Sequence, residues 1–181
     1  MGLRARRTGD IRIYTIIYYE DDPVKNTALK MVKAGLAKPV DPRTVKPGLI
    51  VLNPFSKDYL GPWHRSIVEE RGVLVVDASW KILGPEKFKR VKGLHLKLPP
   101  LLPGNPVNYG KPCILSSVEA VAAAAYITGF AETYRELLGL FKWMGTFHDL
   151  NAELLGSYSR ASSDSELESI VREYWGENPP C

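Results

Sequence analysis

Cysteine is scarce in this chain: its 181 residues include only Cys113 and Cys181. Two cysteines so far apart offer neither a disulfide framework nor a C-x-x-C metal site, and a reducing cytosol is the natural reading. With no basic cluster beside it, Cys113 reads as a small buried hydrophobe rather than a nucleophile, and Cys181 has no evident role. Long apolar runs are also lacking. None approaches the ~20 residues of a membrane helix, so no membrane partner is expected. The N-terminal stretch MGLRARRTGD is basic without an apolar signal core and reads as a frayed arm. G-x-G-x-x-G, the P-loop, G-x-S-x-G and H-E-x-x-H are all missing. His64, His95 and His148 are scattered without ligand spacing, and no metal is expected.

What remains is ordinary for a globular chain of one domain or two small lobes: 45% hydrophobic and 24% charged residues. The net charge of +4 hides an asymmetry. Residues 1–110 carry 19 Lys and Arg against 10 Asp and Glu, whereas residues 111–181 carry 5 against 10. A basic first lobe suggests an anionic partner, with nucleic acid the first candidate and a solvated basic surface the plain alternative.

Residues 11–19, 49–55 and 72–77 are β-branched or continuously apolar and read as strands. The run 72–77, GVLVVD, suggests burial on both faces, as in a parallel sheet. Residues 26–36 and 63–70 read as helices, with Asn26 as an N-cap and Arg71-Gly72 as a stop. Residues 38–48, with three prolines, read as a loop, and 79–83 as a helical turn. One or two short strands fall within 94–102. From residue 116 the spacing is helical over 130–145, 147–158 and 165–175, with capping boxes at Ser116/Glu119 and Ser163/Glu166. The expected fold is therefore α/β, with an α/β lobe over 1–110 and a helical lobe over 111–181.

In such sheets ligands sit beyond the strand C-terminal ends. Asp21, Thr27, residues 53–55 and 77–80 fall there, and the loop GNPVNYGKP at 104–112 would form a further wall. That loop is either a rigid ligand-holding segment or an ordinary interdomain turn. Asp77 suits a ribose, a cationic ligand or a proton, and would equally cap the turn after it. Trp80 suits a flat or cationic group, and would equally pack in the core. Asn26-Thr27 and Ser116-Ser117 each open a helix, where free N–H groups favour a carboxylate or phosphate. Leu52-Asn53-Pro54 and Leu101-Leu102 offer apolar walls for a flat base.

DDPVKNTALKMVK, LNPFSKDYLGP, GVLVVDASW, LLPGNPVNYGKPCILSSVEAVAAAAYITG and FKWMGTFHDLNAELLGSYS, in this order, resemble the small-subunit ribosomal RNA aminocarboxypropyltransferases, in their short archaeal form. The resemblance covers about residues 11–160. It implies a SPOUT-like knotted N-terminal sheet domain followed by an all-helical C-terminal region, with S-adenosylmethionine as cofactor. It implies transfer of the 3-amino-3-carboxypropyl group to N3 of an N1-methylpseudouridine or pseudouridine in small-subunit rRNA, with release of methylthioadenosine. By the same resemblance Leu52, Pro54, Trp80, Leu101, Leu115 and Ala120 would enclose the adenine. Backbone near Leu101 and from Tyr109 to Leu115 would read its edge, and the Val76 carbonyl would meet the ribose. Thr27 and Ser117 would hold the methionine carboxylate. Trp80 and Leu83 would bury the S-methyl group, and Asp77 would assist proton loss. Gly104 stands where the family pattern suggests a small residue such as Ala.

Lys25, Arg43, Lys46, Lys57, Arg65 and Lys111 are the expected rRNA phosphate contacts. The partner is small-subunit rRNA or a pre-ribosomal particle, and the helical lobe favours a monomer in the cytoplasm. Two other readings remain: a methyltransferase on the same fold, which would release S-adenosylhomocysteine, and a non-catalytic rRNA-binding assembly factor.

Overall fold

A computed structural model describes residues 9–181, so the basic N-terminal arm falls almost wholly outside the described residues. Five strands form one sheet: β1 (Ile13–Ile17), β2 (Ala37–Pro39), β3 (Ile50–Leu52), β4 (Val73–Asp77) and β5 (Leu94–Leu96). Their order is β2-β1-β4-β3-β5, and every pairing is parallel. Central β4 pairs Val73 with Ile13 and with Ile50, so the strands run nearly level and end at one edge.

The apolar run of β4 divides by alternation, as period-2 geometry requires. Val73 and Val75 join the larger core, whereas Leu74 and Val76 join a smaller one with Ile16, Val45, Leu49, Val51, Phe88 and Val91. Helices cover the larger side. They are α1 (Thr27–Lys33), α2 (Arg65–Arg71), α3 (Ser117–Ile127), α4 (Ala131–Leu138), α5 (Met144–Tyr158) and α6 (Asp164–Trp175). The other face is covered by the loops that carry Val45 and Phe88. Helix α3 is the axle of the molecule. It touches β4, α1, α4 and α5, and Ala122, Ala123, Ala124 and Ala125 are all fully buried. Small side chains let neighbours approach an α-helix from several sides, and such a helix is apolar all round.

The parallel α/β sheet and the helical C-terminal part agree with expectation, with local corrections. β2 lies where the three prolines suggested only loop. It is a short edge strand ending at Pro39, a position where a missing N–H is tolerated. A 3-10 turn at Pro62–His64 precedes α2, so that helix starts two residues late. The turn expected at 79–83 is present, closed by Ile82 N–H to the Ser79 carbonyl at 3.1 Å. The helical run expected over 130–145 breaks after Leu138, with Gly139 at the C-cap, and resumes at Met144. No helix among the described residues is long and apolar enough to cross a membrane.

The cysteines require the largest correction. Cys113 and Cys181 form a disulfide, with Cα atoms 6.2 Å apart and a separation of 68 positions in the sequence. After α6 the tail returns to the loop before α3, a tertiary approach that spacing in sequence does not reveal. Closing a loop of this size restricts the unfolded chain. Cys181→Ser is therefore expected to lower the unfolding free energy of oxidised protein by about 2–4 kcal/mol. Urea denaturation with and without reductant checks this. Equal midpoints for wild type and variant under oxidising conditions would contradict it.

Candidate active site

Parallel strands bring β1, β3 and β4 to a common carboxyl edge, where a cavity of about 690 Å³ opens. Its walls come from the segments after β1, β3 and β4, from the 97–120 stretch, and from Phe141, Trp143 and Cys181. Of the expected cofactor residues, Thr27, Leu52, Pro54, Val76, Trp80, Leu101, Leu115, Ser117 and Ala120 all line it, together with Asp77, Leu83 and Asp21. Tyr109 does not. It is 60% exposed, and turns closed by Lys111 N–H to Asn108 and Gly110 N–H to Pro103 carry it along the outer side of the loop.

Asp77 joins the sheet to two helices. Its Oδ2 accepts from Asn26 Nδ2 at 2.6 Å and its Oδ1 from the Ser117 hydroxyl at 2.7 Å. Asn26 is in turn the N-cap of α1, accepting from Leu29 N–H at 2.9 Å. The Thr27 hydroxyl oxygen accepts from Val118 N–H at 3.1 Å, which ties α1 to α3 a second time. Two helix N-termini thus converge on one carboxylate. The Thr27 hydroxyl donates to no partner among the described residues, so its proton is available to a ligand. The Ser117 hydroxyl proton is spent on Asp77, so what Ser117 offers a ligand carboxylate is its backbone N–H, which has no partner among the described residues. Burial pushes the Asp77 carboxyl above its ordinary 3.8; the Ser117 and Asn26 hydrogen bonds oppose this, while Asp21 and Glu20 add to it.

Glu119 is a feature whose reach the sequence did not reveal. It completes the expected capping box, taking Ser116 N–H at 2.8 Å and the Ser116 hydroxyl at 2.7 Å. It also accepts from Gly104 N–H at 2.7 Å, Asn105 N–H at 3.0 Å and Asn105 Nδ2 at 2.9 Å. This fully buried carboxylate holds the 104–105 corner against α3. The available signal was a single acidic residue within the apolar run SVEAVAAAAYI. Gly104 is needed at that corner, because an added Cβ would lie 2.4 Å from the Phe147 backbone nitrogen. The Trp80 ring is fixed by a 2.8 Å bond from Nε1 to the Leu115 carbonyl.

The expected phosphate-contact residues diverge. Lys25, Lys46, Lys57 and Lys111 are exposed, and Lys25 lines the cavity. Arg43 is engaged by Asp41 through two 3.0 Å bonds. Arg65 serves the fold: its Nη1 donates to the Thr128 and Gly129 carbonyls at the end of α3, and its guanidinium lies 4.4 Å from the Phe130 ring centroid.

A parallel α/β protein with a ligand cavity at the strand ends and a helical C-terminal part is thereby defined. The family described as "Ribosome biogenesis protein, C-terminal" matches residues 50–175. The 16S rRNA aminocarboxypropyltransferase of Methanothermobacter thermautotrophicus is 41% identical over 166 residues, covering 89% of this chain and 98% of that protein. Its counterpart in Vulcanisaeta distributa is 42% identical over 162 residues, 88% of each. The solved structure of the SAM-dependent rRNA:acp-transferase Tsr3 from V. distributa matches with TM-score 0.79 and 39% identity, covering 90% of this chain and 97% of that one. This chain belongs to the 16S rRNA aminocarboxypropyltransferase family.

The raised Asp77 pKa fixes the sign of one pH effect. A carboxyl whose folded pKa exceeds its unfolded value stabilises fully below the unfolded pKa and loses that contribution as pH rises through the folded one. The advantage of wild type over Asp77→Ala, about 1–3 kcal/mol where both tethers count, is therefore expected to be largest near about pH 4 and to shrink toward pH 7. Urea denaturation across that range measures it, and an advantage that grows with pH would contradict the assignment.

Proposed function

We infer that this protein transfers the 3-amino-3-carboxypropyl group of S-adenosylmethionine to N3 of a pseudouridine, N1-methylated or not, in small-subunit rRNA, releasing methylthioadenosine. The carrying observation is the cavity in which two helix N-termini meet beside Asp77 and Trp80, in a chain of this family. The donor set suits the cofactor. Apolar Leu52, Pro54, Leu101, Leu115 and Ala120 fit an adenine, the Val76 carbonyl fits a ribose hydroxyl, and Thr27 and the Ser117 N–H fit a carboxylate.

A sulfonium activates all three of its attached carbons, so the protein selects the product by which carbon it leaves open to the incoming N3. Trp80, locked to Leu115, and Leu83 wall off the methyl group. Thr27 and α3 hold the carboxylate and so place the propyl chain. This favours aminocarboxypropyl transfer over the methyltransferase alternative. Asp77, with its raised pKa, is a candidate to take the N3 proton. Backbone at Leu101, Cys113 and Leu115 borders the adenine edge, with Tyr109 outside the cavity. Phosphate contacts fall to Lys25, Lys46, Lys57 and Lys111, with Arg43 available once it leaves Asp41. Residues 1–110 serve as the RNA-facing lobe and 111–181 complete the pocket.

We further propose a SPOUT-type knot, a monomer and a cytoplasmic location. Supporting the knot, the loop after β3 is stitched beside β5 by Asn53 N–H to Leu96, Leu60 N–H to Lys97 and Lys97 N–H to Asp58, at 2.9, 2.7 and 2.9 Å. The chain then passes back from that edge to buried Leu101 and to α3 on central β4. A backbone trace from a crystal structure and light scattering in solution check the knot and the monomer. The cytoplasm follows from the rRNA substrate, and there the Cys113–Cys181 bond is of an uncommon kind.

Calorimetric titration with S-adenosylmethionine is expected to show binding that Trp80→Ala weakens about tenfold or more, equivalent to about 1.4 kcal/mol. Incubation with small-subunit rRNA then yields methylthioadenosine. S-adenosylhomocysteine as the by-product would establish the methyltransferase instead, and RNA binding without cofactor affinity would leave the assembly factor.

A further inference from the structure

One group of side chains in the cavity lies outside the set assigned above to the cofactor. Between α4 and α5, Phe141 and Trp143 stack with ring centroids 4.8 Å apart and planes at 27°. Lys30 of α1 places its Nζ 4.5 Å from the Phe141 centroid, on the helix whose first residue is Thr27. Both rings are half-buried and both line the cavity. The other cavity aromatics are committed. Trp80 is bonded to Leu115, and Phe88 packs edge-on against Phe55 and His95. Trp143 Nε1, by contrast, has no partner among the described residues, whereas the indole N–H of Trp175 is bonded to Tyr158.

We propose that Trp143, backed by Phe141 and Lys30, is the stacking face for a nucleobase of the RNA substrate. This rests on reading the protein as an rRNA-modifying enzyme. A base that reacts inside a cavity has to leave its own stack, and an aromatic face replaces the lost stacking in any sequence context. Trp143 offers such a face and an unspent N–H for a base carbonyl. Exposed Lys142 beside it and Lys25 at the cavity wall supply positive charge for the flanking phosphates. Lys142 is one of only five basic residues in 111–181, so this corner is a local exception in an acidic part of the chain.

The test uses the full chain and a fluorescein-labelled oligouridylate, with an abasic oligomer of equal length as control, at one fixed salt concentration. Trp143→Ala is expected to weaken oligouridylate binding about 5- to 150-fold, the range for one stacked base. Trp143→Phe, which keeps an aromatic face and loses only the N–H, retains the affinity within about threefold, and Trp143→Leu, which keeps apolar bulk without an aromatic face, behaves like Trp143→Ala. Abasic-oligomer binding and S-adenosylmethionine affinity stay unchanged in all three. Unchanged oligouridylate affinity in Trp143→Ala and Trp143→Leu, or an equal loss on the abasic oligomer, overturns the proposal. A loss of cofactor affinity does so too, by making Trp143 a cofactor wall. Failure of the enzymatic reading is seen separately, in wild-type protein that neither binds S-adenosylmethionine nor releases methylthioadenosine.

Discussion

The Glu119 carboxylate is the constraint on which the site depends. Its two oxygens accept five hydrogen bonds, from Gly104, Asn105 and Ser116. An acidic group without solvent contact persists only when its lone pairs are filled, and a backbone corner without regular structure persists only when its N–H groups are satisfied. Each solves the other's problem. The corner then presses so closely on α5 that only glycine fits at 104. With α3 fixed to the corner, Leu101, Leu115 and Ala120 are fixed as walls of one space.

Asp77 completes the arrangement from the sheet side. The strand that carries it is buried on both faces, so its carboxylate has little freedom to move. Asn26 and Ser117 bring the starts of α1 and α3 to it. A negative charge between two helix N-termini is favoured by their dipoles and disfavoured by lost hydration. Lost hydration outweighs the Ser117 and Asn26 hydrogen bonds, and the carboxyl is shifted upward. A carboxylate so held spaces the two helix starts that border the cavity.

Much of this was legible in the sequence, because it rests on local chemistry. Asn26 and Ser116 cap the helices they precede, and the GVLVVD run is the buried central strand. The residues expected around the cofactor line one cavity, apart from Tyr109. The misses are tertiary. Pairing with β1 turns Ala37–Pro39 into a strand, although the proline-rich stretch it opens reads as loop. Glu119 reads as a capping residue, and only the folded loop shows that it also holds 104–105. Arg65, expected at an RNA phosphate, also bonds carbonyls 63 and 64 positions away, a role that no local pattern reveals. Cys113 and Cys181 have no spacing that predicts their union.

The cavity draws its wall residues from Asp21 through to Cys181, with nearly the whole chain lying between them. Biosynthesis runs in one direction, and contacts this distant close late. On a translating ribosome the early strands have no finished pocket to enclose until the segment carrying Cys181 has emerged. A chain stalled before that point lacks a wall and the disulfide that secures it. The nascent protein therefore gains its complete ligand-binding shape only once Cys181 has been added.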